Sequence, residues 1–374
     1  MTSPKPTRHT VTFLPWVRFK DSVEIENVVF WRFPSDEFRL DKRLMDQLLR
    51  MFRGYRDPKG KRIEDLTIVS LRPRLFKDLS RKEAERVAEL IRLVAFSVMA
   101  ENVYFRQVGV QFNSSQFQHF HQRFQLGSKG IAVDTRRREG SALHGGYQHG
   151  ELKFSMPLQN ETTFEAMPNV MFLRSLVEFV GRETADASAV RQAINWFFLA
   201  NSNSDSVSLH TEIIMMGSAF EALFQTQDTS GKKAALMNNL PIPFTDRLSK
   251  KARRAGMDGS VAKRQWKAWW IDEFYWLRNK IAHGSKIELT RMTWDVTEHL
   301  TIAAIILAIT IKLILAQKGG YLLTSSEEVC ADSVDNFIAG GNLSERKLIE
   351  AHNKAGLKRA TERAWLHIQA VQAK

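Results

Sequence analysis

Arg278, Asn279 and His283 bring three chemistries into one short run, Arg278-Asn279-Lys280-Ile281-Ala282-His283, closed by Gly284. Arginine stays charged at any working pH and offers paired donors to a phosphate. Histidine moves protons near neutrality. Cleavage of an RNA backbone through its 2′-hydroxyl needs a base for that oxygen and an acid for the leaving 5′-oxygen. It also needs positive charge on a phosphorane-like transition state. DNA lacks the 2′-hydroxyl, so such a site would select RNA. Read in isolation, the same residues also fit a surface arginine and a histidine that merely ends a helix.

The surrounding pattern predicts a helix over Ala262 to His283. Trp266, Trp270, Phe274, Leu277 and Ile281 recur at helical spacing and form one buried stripe, with Arg278 at its border. Gly284 suits the position just past a helix end, which puts His283 in the last turn. A helix C-terminus favours the imidazolium and a nearby arginine opposes it, so the ring would switch near neutral pH. Asn279 and His283 are four apart and share a face, so the amide can orient the ring. Arg278 and His283 are five apart, about 140° around an ideal helix. They meet on one phosphate only if the helix loosens before Gly284 or a second copy of the run faces the first.

The elements that must carry this run divide the chain in two. Up to residue 160 the sequence reads as an α+β domain. Val11 to Phe19, Val23 to Phe33, Ile63 to Leu71 and Ile131 to Arg138 have strand character, and Leu143 to Met156 suggests a hairpin turning at Gly145-Gly146. Asp36 to Phe52 and Ser80 to Phe105 read as helices, the second opening on a Ser80/Glu83 capping box. Residues 161–318 read as a mainly α bundle. Its helices are Val170 to Val180, Ala187 to Ala200, Ser208 to Gln225, the motif helix, and Thr290 to Leu315. Residues 228–259, with Pro241 and Pro243, predict short helices and loop. Residues 319–374 form a tail ending in a basic helix, Ser344 to Gln372.

Within the bundle, the run resembles the signature of the HEPN superfamily, in which an arginine followed by a polar residue precedes a histidine after four to six residues. The resemblance spans Val170 to Lys318. It is supported by Ala219-Phe220-Glu221-Ala222-Leu223-Phe224, similar to a stretch of many HEPN second helices. The domain looks most like those of ApeA-type and abortive-infection proteins. The resemblance implies an up-and-down bundle that forms a homodimer, with paired motifs making a metal-independent endoribonuclease site without a cofactor. Arg278 would stabilise the scissile phosphate, His283 would be the acid or base, and Asn279 would orient or bind. It further implies an antiphage or growth-arrest role in the cytoplasm, with the N-terminal domain sensing a trigger ligand or phage component or selecting a target. Some HEPN domains cleave nothing and serve as RNA-, nucleotide- or partner-binding modules, and that alternative stays open.

Net charge of +13 fits a polyanionic partner, since a basic field concentrates phosphates. An acidic membrane or an acidic protein would answer the same field. Lys250, Lys251, Arg253, Arg254, Lys263, Arg264 and Lys267 lead into the motif helix and would track an RNA backbone, unless they form a solvated face. Glu221 either braces Arg278 through a buried charge pair or is a solvated helix carboxylate. His119 with His121, and His144 with His149, lack further ligands at zinc spacing. One cysteine, Cys330, excludes an intrachain disulfide and suits a reducing compartment. Leu300 to Ala316 is almost wholly apolar but short for a membrane span and contains Lys312, so a buried bundle helix is expected.

Overall fold

The computed structural model describes residues 8–35, 40–57, 59–63, 65–73, 75–102, 113–125, 131–136, 142–147, 152–153, 164–202, 207–226, 231–240, 266–287, 292–324, 327 and 338. The chain forms two compact units. The first comprises Met1–Val98 and Asn113–Val170, the second Met99–Phe112 and Met171–Lys374. The fold is α+β; among the described residues the strands lie in the first unit and helices prevail in the second.

The first unit carries β1 (Arg8–Leu14), β2 (Val17–Phe19), β3 (Val23–Ile25), β4 (Val28–Phe33), α1 (Lys42–Phe52), β5 (Tyr55–Arg56) and β6 (Leu66–Leu71). These are followed by α2 (Arg81–Asn102), β7 (Phe120–Gln125), β8 (Ile131–Arg136), β9 (Ala142–Tyr147), β10 (Leu152–Lys153) and β11 (Phe164–Ala166). Seven strands make one sheet in the order β3-β4-β6-β1-β7-β8-β9, antiparallel throughout. Phe13, Trp31 and Ile68 from the sheet pack with Leu48, Met51 and Phe52 of α1, and these aromatic and aliphatic side chains form the core. The Ser80 box at α2 is present: the Glu83 N–H donates to Ser80 Oγ and the Ser80 N–H to the Glu83 carboxylate.

Three strand expectations change. The run Val11 to Phe19 breaks at Pro15, which has no N–H for a ladder, and the run Val23 to Phe33 breaks at Glu26, which turns at φ 55. Gly145 and Gly146 do not turn a hairpin. They lie inside β9, opposite Val133 and Ala132 of β8, because the ladder to β8 uses their backbone groups.

The second unit contains α3 (Val170–Val180), α4 (Ala185–Ala200), α5 (Leu209–Leu223), α6 (Lys232–Asn239), α7 (Trp266–Ala282) and α8 (Val296–Lys318). Helix α5 is central and touches α4, α6, α7 and α8. Helix α8 begins later than its apolar pattern predicts because Asp295 caps it in a reciprocal box with Glu298. It is long and apolar enough to cross a membrane by length and composition, yet most of that stretch is buried, as expected for a bundle helix. The tail expectation over Ser344 to Gln372 lies outside the described residues.

Candidate active site

Helix α7 supplies the motif. Trp270, Phe274 and Leu277 are fully buried, and Phe220 of α5 meets the rings of Trp270 and Phe274 edge-on at 6.2 and 6.0 Å. This stripe fixes the rotation of α7 against α5. The helix ends in a Schellman motif: Ser285 N–H donates to the Lys280 carbonyl, Gly284 N–H donates to the Ile281 carbonyl, and Gly284 sits at φ 63. His283 is therefore the C-cap. It is exposed, and its imidazole makes no hydrogen bond among the described residues.

Arg278 turns inward across α5. Its stem crosses Gly217, where a Cβ would stand 3.1 Å from Arg278 Cγ. Its Nη2 lies 3.1 Å from Glu221 Oε1, an ion pair whose angle falls short of a hydrogen bond. Its Nη1 donates to Asn279 Oδ1 at 3.2 Å. Nε is buried without a hydrogen-bond partner, and only Nη1 makes a hydrogen bond among the described residues, so Nη donors remain unspent. Glu221 is the buried brace and not a solvated carboxylate; it is 5% exposed and accepts a second cation, Lys232 Nζ, at 2.8 Å. Tyr275 borders the same pair. Burial pushes its hydroxyl well above the usual range, and Glu221 adds to the shift.

Asn279 is thus engaged by Arg278 within the chain, whereas the four-residue spacing predicts an amide serving His283. A guanidinium one residue away is the nearer and charged donor. Arg278 faces α5 while His283 caps the helix in solvent, so the two do not share a contact, in keeping with their five-residue separation. Arg278 and Asn279 meet here; His283 stands apart. The basic residues Lys250, Lys251, Arg253, Arg254, Lys263 and Arg264 lie outside the described residues, as does the side chain of Lys267.

Sequence reasoning missed Gly217 and Lys232. Gly217 leaves a signal: a glycine inside an apolar helix, four residues before Glu221 and so on the same face, marks a close approach. Lys232 leaves none, since only packing brings α6 to Glu221.

Directly behind the motif, Glu273 of α7 holds the start of α8. Its Oε1 accepts the backbone N–H groups of Thr293 at 2.6 Å and Trp294 at 3.0 Å, and lies 3.2 Å from His299 Nε2. Burial alone would raise this carboxyl, but the bonds from His299, Trp294 and Thr293 hold it below the usual range.

In the first unit, His119 and His121 form an edge-to-face pair at 5.2 Å. Burial, then His121 and Arg92, push His119 down to about 4, so it is neutral at physiological pH. Among the described residues no group of three or more His, Cys, Asp or Glu gathers to hold a metal. Compared with protein-family models, curated proteins and solved structures, the chain matches none.

Proposed function

We propose that the protein is a metal-independent endoribonuclease of HEPN type, acting through 2′-hydroxyl attack at a site completed by a second copy. The observation that carries this reading is Arg278, anchored on one edge by Glu221 and Asn279 yet retaining unspent donors, followed along the same helix end by an exposed histidine. A side chain so held starts from one position beside the motif, so its guanidinium can pass to a phosphodiester without a long rotamer search. An exposed imidazole at a helix C-terminus can exchange protons with a bound ribose or leaving oxygen. Because Arg278 and His283 leave α7 in different directions, each phosphate would take Arg278 and His283 from different protomers. A role in antiphage defence or growth arrest, in the cytoplasm, and a trigger-sensing N-terminal unit follow from the resemblance to abortive-infection proteins.

The test compares the full chain with Arg278→Ala and His283→Ala, reading cell growth and RNA integrity with EDTA present. Cleavage that survives EDTA and disappears in both variants supports the proposal. Equal behaviour of all three, with RNA still bound, would replace it with a non-catalytic RNA-binding module.

A further inference from the structure

Glu221 is a buried carboxylate with two cations. Its Oε1 faces Arg278 and its Oε2 accepts from Lys232, the first residue of α6. A cation is disfavoured at a helix N-terminus, where the backbone already presents positive charge. Lys232 nevertheless points to Glu221, and the next residue, Lys233, pairs with Asp272 of α7. Two successive lysines therefore fasten the start of α6 to α5 and α7. Its N-cap is Gly231 at φ 90, a backbone that suits glycine.

This arrangement bears on how Arg278 could reach a phosphate. With Glu221 as its sole charged neighbour, a departing arginine would leave a buried carboxylate unpaired, which is strongly disfavoured. Lys232 removes that obstacle by keeping Glu221 neutralised from the other side. We infer that Lys232 is a positioning residue for Arg278: through Glu221 it frees the guanidinium to shift from an internal carboxylate to an RNA phosphodiester. The inference rests on the ribonuclease reading above, and on Lys232 acting through Glu221 and not on RNA directly.

A double-mutant cycle separates these routes. The probe is a 2′-O-methyl RNA oligonucleotide, which cannot be cleaved through the 2′-oxygen, and binding to the full chain is read by fluorescence anisotropy at fixed salt. Lys232→Met should weaken binding about tenfold, the scale of losing one charged contribution, because Glu221 then holds Arg278 more tightly. Adding Glu221→Gln to Lys232→Met should restore affinity to that of Glu221→Gln alone, since no carboxylate remains to compete. Lys232→Arg should bind like the unaltered chain, and thermal melts of each variant confirm folding. Unchanged binding in Lys232→Met, or a double variant as weak as Lys232→Met, overturns the inference while Arg278→Ala still abolishes binding. Arg278→Ala binding like the unaltered chain overturns the ribonuclease reading itself, and the inference with it.

Discussion

Gly217 and Arg278 face each other closely across the α5–α7 interface: a Cβ at 217 would stand 3.1 Å from the arginine Cγ and 3.4 Å from its Nε. The glycine therefore has a positional meaning inside a helix that would otherwise prefer alanine. Gly217→Ala gains about 0.5–1 kcal/mol of helix propensity and backbone entropy, and loses a similar amount to crowding. Its melting temperature should stay close to that of the unaltered chain. RNA cleavage should nonetheless fall at least about tenfold, because the added methyl pushes the Arg278 stem off α5 and displaces the point from which its guanidinium reaches the phosphate. Full activity in a normally folded Gly217→Ala protein would show that the Arg278 placement is irrelevant to the reaction.

Acid should weaken the second unit through Glu273. Its carboxyl sits below its ordinary value of 4.5 in the folded chain, so its stabilisation is fully present above that value and is lost as pH falls through the folded one. Glu273→Gln removes the charge that gathers Thr293, Trp294 and His299, and should cost about 2 kcal/mol at pH 7. Urea melts at pH 7 and near pH 3.5 check this: the gap between the two proteins should narrow in acid. A gap that widens would contradict the assignment.

Glu212 should act in the opposite direction. Burial in the first turn of α5 raises its carboxyl to about 7. A raised carboxyl stabilises fully below its unfolded value and loses that contribution as pH rises through about 7. Glu212→Gln should therefore be more stable than the unaltered chain at pH 8, by about 1 kcal/mol, and match it near pH 5. Thermal melts at both pH values would detect the difference; equal stability at pH 8 would refute it.

Lys312 lies inside α8 with no exposed surface, between Glu101 at 2.6 Å and Glu327 at 2.7 Å, over the ring of Phe172. Tyr321 donates to the same Glu327. Lys312→Met should destabilise the unit by about 3–5 kcal/mol, since it strands two carboxylates. The triple change Lys312→Met, Glu101→Gln, Glu327→Gln should recover much of that loss in a denaturant melt. A single variant as stable as the unaltered chain would mean the cluster is solvated and contributes little.

Much of the site's scaffold could be read from the chain. The start of α3 at Val170, the burial of Trp270, Phe274 and Leu277 on α7, the end of that helix before Gly284 and the burial of α8 all follow from local rules, whereas Ile281, expected on the same buried stripe, is only half-buried. Periodicity, capping and turn chemistry act within a few residues, so they leave their mark in consecutive letters. The hairpin assigned to Gly145-Gly146 failed for the complementary reason: a glycine pair is compatible with a turn or a strand, and the partner strand decides.

The charge pairs belong to tertiary structure. Nothing in the spacing of Glu221, Lys232 and Arg278 says that one carboxylate will hold both cations, or that Asn279 will answer the arginine before the histidine. Nor does the apolar run of α8 reveal that Lys312 is neutralised from Glu101 and Glu327. Such contacts depend on the rotation and approach of helices far apart in sequence. That geometry is set by which side chains interlock in the core, above all Phe220 against Trp270 and Phe274, and by the absence of a side chain at Gly217. Residue types determine what chemistry the chain can perform; helix packing decides which of those groups meet.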